Sequence, residues 1–150
     1  MDGLVKIRIA LAPDAPFATE GLWARYLGQD LYEIDNIPFF AYNLHCGDVV
    51  RAIASAPSEQ PNIQEVVERG GHSTLRILFT EDKGSERQED ILQWLDDCGA
   101  AFEGLGSSVY DGRYFAIDVE PDADYPSVCA QLYQWELDGL LVYETGALDA

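Results

Sequence analysis

Thr74-Leu75-Arg76-Ile77-Leu78-Phe79, followed by Ser85-Glu86-Arg87-Gln88 and later by Asp111-Gly112, is the stretch that decides the fold. Leu75, Ile77 and Phe79 fall on one face of a strand, with Arg76 among the residues on the other. The Ser85-to-Gln88 spacing has the capping-box form, in which a hydroxyl and an amide satisfy the donors left open at a helix start. Ile91, Leu92, Leu95 and Cys98 then recur at helical spacing, and Gly99 supplies a left-handed stop. Ala101 to Leu105 and Arg113 to Val119 predict two further strands, joined through Asp111-Gly112 as a hairpin turn. Asp124-Tyr125-Pro126 predicts a second helix start, because an oxygen-bearing cap and an early proline both suit a first turn. Val128, Leu132 and Trp135 form its buried stripe, Gly139 ends it, and Leu140 to Tyr143 makes a last buried strand. The order βαββαβ is the split βαβ unit, so residues 71–150 predict a ferredoxin-like α+β domain with both helices on one face. The residues from Gly146 onward are expected to fray.

Upstream of Gly70-Gly71 the grammar differs, and residues 1–70 predict a small β-rich, barrel-like domain. Val5, Ile7 and Ile9 alternate with Lys6, Arg8 and Ala10 as in a half-buried strand. Leu22 to Tyr26 and Leu31 to Ile34 flank Gly28-Gln29-Asp30 as a hairpin. Pro38 to Tyr42, Gly47 to Val50 and Ile63 to Val67 continue the series of short runs, and Ala52 to Asn62 reads as a surface loop.

The chain has 150 residues, 47% of them hydrophobic, enough for a core, and no internal repeat. Its formal net charge is −18. Residues 1–70 carry 5 basic and 10 acidic side chains, residues 71–150 carry 4 and 17. That balance argues against nucleic acid and anionic membranes as partners, since both are bound through Lys and Arg. Asp2, Lys6 and Arg8 interrupt the apolar N-terminus, which therefore lacks a secretory signal pattern. No apolar run approaches the roughly 18 residues needed to span a bilayer. Cys46, Cys98 and Cys129 are widely spaced in apolar surroundings, as expected of reduced thiols in a cytoplasm.

Glu20-Gly21-Leu22-Trp23-Ala24, Asp35-Asn36-Ile37-Pro38-Phe39-Phe40-Ala41, Gly47-Asp48-Val49-Val50 and Gly70-Gly71-His72-Ser73-Thr74 occur in that order. Together they resemble a bacterial family, domain of unknown function 4265, over most of the chain. The resemblance implies a bacterial, cytoplasmic setting, and one in which small acidic proteins accompany secreted toxins as immunity proteins.

None of the catalytic or metal patterns is complete. His45-Cys46 are neighbours that point to opposite faces of a strand, and neither C-x-x-C nor H-x-x-x-H occurs, so no metal site is expected. Asp48, His72 and Ser73 contain the parts of a hydrolase, but adjacent His and Ser diverge and G-x-S-x-G is absent. Cys46 has no cationic neighbour to activate it. Gly104-Leu105-Gly106 lacks the Lys and the helix start of a phosphate loop. No enzyme activity and no cofactor are expected.

The acidic excess is the stronger signal. Asp96, Asp97 and Asp138 sit near helix C-terminal ends, where the dipole opposes them, so helix stability does not explain them. Asp90, Trp94, Asp96, Asp97, Asp122, Asp124 and Tyr133 are the candidate partner-binding residues, combining steering charge with aromatic anchors. The expectation is a cytoplasmic binding protein, an immunity protein that covers the active or substrate-binding site of a basic cognate toxin. The alternative is a small-molecule-binding regulatory module of ferredoxin-like type, with a ligand pocket near Asn36, Phe39, Asp48, His72 and Ser73.

Overall fold

The computed structural model describes residues 3–106 and 110–147. The chain divides into two units, one running to His72 and taking in Gly146, the other Ser73–Thr145. The divide falls just past Gly70-Gly71, so His72 and Ser73 belong to different units.

The first unit contains β1 (Leu4–Ala10), β2 (Thr19–Gly28), β3 (Leu31–Ile34), β4 (Val49–Ile53) and β5 (Asn62–Glu68). Each strand pairs antiparallel with the next. β5 then meets β1 in parallel at Arg8 and Asn62, where Arg8 Nε donates to Asn62 Oδ1 at 2.7 Å. The alternation in β2 places Glu20, Leu22 and Ala24 inward, and Leu22 and Ala24 join Ile7, Ile34, Leu44 and Val50 in a buried cluster. Trp23, on the outward side, is covered by the Lys6 ammonium 4.6 Å from its ring.

Pro38 to Tyr42 is not a strand. The apolar run is buried at Ile37 and Ala41, but its backbone is fastened to a carboxylate rather than to a neighbouring strand. Gly47 and Asp48 likewise form a turn, with Asp48 N–H donating to His45 O at 3.1 Å, and β4 begins only at Val49.

The second unit runs β6 (Ser73–Phe79), α1 (Lys83–Asp97), β7 (Ala100–Gly104), β8 (Tyr114–Val119), α2 (Tyr125–Leu137) and β9 (Leu141–Thr145). Its sheet has the order β7-β8-β6-β9 with every neighbouring pair antiparallel. Leu75, Ile77, Phe79 and Ile117 share one buried cluster with Ile91 and Leu95 of α1 and Val128 and Leu132 of α2, so both helices cover the same sheet face. On the opposite face Thr74, Arg76 and Asp118 are buried as well, and the Glu144 carboxylate lies 3.8 Å from Arg76 Nε. The described residues thus form a mixed α+β structure of two sheets, with five and four strands, and two α-helices. Among the described residues no helix is long and apolar enough to cross a membrane.

The helix starts show which oxygen wins a contest for open donors. α1 begins ahead of the expected Ser85, because Asp82 accepts from Lys83 N–H at 2.7 Å and Thr80 Oγ1 accepts from Gly84 N–H at 2.9 Å. Ser85 Oγ instead donates back to Glu81 O, and Gln88 reaches away to Gly112 O. α2 begins as read: Asp124 accepts from Ser127 N–H at 3.2 Å and from Ser127 Oγ at 2.7 Å. Asp111 and Gly112 both have positive φ, 51° and 76°, and Arg113 N–H closes the turn on Tyr110 O.

The hydroxyl and then the backbone N–H of Ser127 hold the Asp124 carboxyl below the 3.8 of an ordinary aspartate. A depressed folded-state pKa contributes stability that is present above the unfolded value and lost as pH falls through the folded one. Asp124→Asn keeps an oxygen for Ser127 N–H but does not titrate. Urea unfolding should therefore show the variant losing less stability than the parent as pH drops below 3.8, whereas parallel losses would contradict this role.

Candidate functional site

Two buried carboxylates organise the first unit. Glu20, 8% exposed, receives Phe39 N–H on Oε2 at 2.6 Å, and Phe40 and Ala41 N–H on Oε1 at 3.0 and 2.9 Å. Asn36 Oδ1 meanwhile accepts from Trp23 N–H at 3.0 Å, tying the same segment back to β2. Asp48, fully buried, receives His45 N–H and Arg69 Nη1 on Oδ2, both at 2.9 Å, and Gly70 N–H on Oδ1 at 3.0 Å. Gly47 has φ +88°, and a Cβ there would come within 3.0 Å of the His72 ring. A Cβ at Gly70 would approach Gly47 O to 2.5 Å, so the two backbones meet only because Gly70 has no side chain.

The second unit carries a different arrangement along α1. Glu86, Glu89, Asp90, Asp96 and Asp97 are all exposed, and the last turn of the helix holds no basic residue. Asp90 pairs with Arg87 at 3.8 Å and Asp97 accepts from Gln93 Nε2 at 2.9 Å. Glu89, Leu92, Gln93 and Asp96, together with Phe102 of β7, line an open groove of about 530 Å³. Leu92 and Phe102 are half-buried against the core, whereas Glu89 and Asp96 are exposed. An apolar floor beneath two carboxylates suits a side chain with a long aliphatic stem and a cationic head.

The family model described as Domain of unknown function (DUF4265) matches residues 20–143. The chain belongs to this family. No curated protein matches it. A solved structure titled "Novel crystal structure of a hypothetical protein from Neisseria gonorrhoeae" is similar, with a TM-score of 0.79 at 18% identity, covering 98% of this chain and 96% of that one. At that identity the likeness concerns the fold.

In this DUF4265 member the four segments that carry the family resemblance bind one another: Glu20 holds Phe39 to Ala41, Asn36 holds Trp23, Asp48 holds Gly70, and Gly47 meets His72. Asn36, Phe39, Asp48 and His72 therefore lie in the frame of the first unit, and Ser73 opens β6 in the second. Of the acidic and aromatic candidates, only Asp96 lines the groove. Trp94 is half-buried, edge-on to Trp135 at 5.2 Å, and joins the two helices; Asp124 caps α2. Asp90, Asp97, Asp122 and Tyr133 are exposed outside the groove lining. Sequence reasoning passed over Glu89 and Phe102 as groove residues. Positions 89, 92, 93 and 96 repeat at i, i+3, i+4 and i+7, which marks one helix face. The three cysteines are unbridged, and burial, aided by Asp97 and Asp124, pushes the Cys98 thiol up, away from the reactive thiolate.

Removing the Glu20 carboxylate takes its acceptor from three backbone donors, that of Ala41 buried and those of Phe39 and Phe40 partly buried. Each stranded donor costs about 1–3 kcal/mol. Glu20→Ala should lower the unfolding free energy by about 3 kcal/mol in urea titration, and Glu20→Gln, which keeps one acceptor oxygen, by less. An alanine variant within about 0.5 kcal/mol of the parent would show that the segment is held by other means.

Proposed function

We propose that this protein is a non-enzymatic, cytoplasmic acidic binding protein, an immunity protein that neutralises a basic cognate toxin by covering its active or substrate-binding site. The observation that carries the reading is the groove between α1 and β7, lined by the exposed Glu89 and Asp96 together with the half-buried Leu92 and Phe102. The carboxylates at the end of α1 are offset by no basic residue in its last turn, a placement that costs helix stability and suits a cationic partner. Toxins that act on nucleic acid are commonly basic, so an acidic surface can occupy the place of the phosphate backbone. We describe the first unit as a small barrel, supported by its ring of strand neighbours, and the second as ferredoxin-like, supported by its strand order and shared helix face. The regulatory-module reading has less support, because Asn36 and Asp48 hold backbone within the first unit and the Phe39 N–H is itself held by Glu20.

The test starts with affinity capture from the source cells, eluted by increasing salt, followed by titration of the purified basic partner's activity. Stoichiometric loss of that activity is expected. Glu89→Lys with Asp96→Lys should slow association about tenfold or more and flatten its salt dependence. A partner that stays fully active when saturated, or an on-rate unchanged by the reversal, would contradict the reading.

A further inference from the structure

We infer that the partner supplies an extended basic segment that adds as a strand to the outer edge of β7, laying its Lys or Arg side chains in the adjoining groove. This rests on the binding reading above and deepens it by naming the mode of recognition. β7 ends the sheet, and among the described residues no strand pairs with its outer side. The pairing with β8 fixes which groups face outward. Leu105 N–H donates to Tyr114 O at 3.0 Å, and hydrogen-bonded positions alternate along an antiparallel pair. Ala101, Glu103 and Leu105 therefore point their backbone groups at β8, and Phe102 and Gly104 point theirs outward.

The sheet's other edge is treated differently. On β9 the Tyr143 N–H donates to Glu136 Oε1 at 3.1 Å, so a carboxylate from α2 already occupies that position. At β7 the neighbouring carboxylates, Glu89 and Asp96, line the groove. Phe102 belongs to both features, with its backbone on the open edge and its ring in the groove lining. A strand added there presents alternate side chains to the helix side. Their aliphatic stems would rest on Leu92 and Phe102 and their cationic heads on Glu89 and Asp96. A second copy of this chain is a poor occupant, because it would bring the same acids, Glu103 included, to a molecule of net charge −18.

The probe is a capped peptide alternating Arg and Thr, about eight residues long, compared with the same peptide N-methylated on alternate backbone nitrogens. With the full-length protein, the parent peptide should bind and slow amide exchange at Phe102 and Gly104 about tenfold or more. N-methylation should weaken binding about tenfold or more, since it removes the pairing donors and keeps the charge. Glu89→Gln with Asp96→Asn should weaken it too. Equal binding of both peptides, with unchanged exchange at Phe102 and Gly104, would overturn strand addition and leave the acidic groove as the docking surface. Binding indifferent to the double variant, or no binding, would overturn both. Sedimentation showing self-association that the peptide competes away would assign the edge to a second copy and overturn the basic occupant.

Discussion

A single carboxylate, that of Glu20, takes the backbone donors of Phe39, Phe40 and Ala41, and the first unit depends on it. Between β3 and β4 the stretch from Ile37 to Leu44 belongs to no strand, yet Ile37, Ala41 and Leu44 are 5%, 3% and 1% exposed. Buried backbone without a ladder must find acceptors elsewhere. A carboxylate can take several N–H groups at once and is in turn stabilised by their dipoles, which offsets the cost of burying a charge. Asp48 repeats the device at the far end of the same segment and adds Arg69 as counter-charge. Two acids in the interior thus let an irregular, apolar segment close one side of a five-strand sheet.

That arrangement separates the acids of this protein into two kinds. Glu20 and Asp48 are buried and hold backbone N–H groups, Asp48 with Arg69 beside it. Those along α1 are exposed and largely unmatched by base. The groove between α1 and β7 belongs to the second kind, and the proposed docking role follows from its composition: charge for encounter, apolar floor for adhesion, and open backbone for register.

The second unit was readable because its signals are local. Ile91 and Leu95 at helical spacing, the alternation of Leu75, Ile77 and Phe79, and the stops at Gly99 and Gly139 each act within a few residues, and all stand where expected. Pro38 to Tyr42 departs from the strand its composition suggests for the opposite reason. Its apolar character is local, but the acceptor that fastens it lies about 20 residues upstream in β2, and nothing in periodicity reports such a bond. Ser85 failed as a cap because Asp82 and Thr80 offered nearer oxygens, a competition that spacing does not rank. Of the groove, the sequence reading named Asp96 alone, although the i, i+3, i+4, i+7 spacing from Glu89 to Asp96 carries a local signal for that helix face. Phe102 has no such signal, since its place beside α1 is set by the sheet rather than by the helix.

Native-state amide hydrogen exchange at Phe39, Phe40, Ala41 and Gly70 tests the central claim most directly. These amides lie outside every helix and strand, and their acceptors are side-chain carboxylates. The account predicts protection comparable to the strand amides of β2 and β4, lost only with unfolding of the unit. Exchange as fast as in the exposed loop between β4 and β5 would contradict it, and would mean that Glu20 and Asp48 do not hold the segment on which the first unit is built.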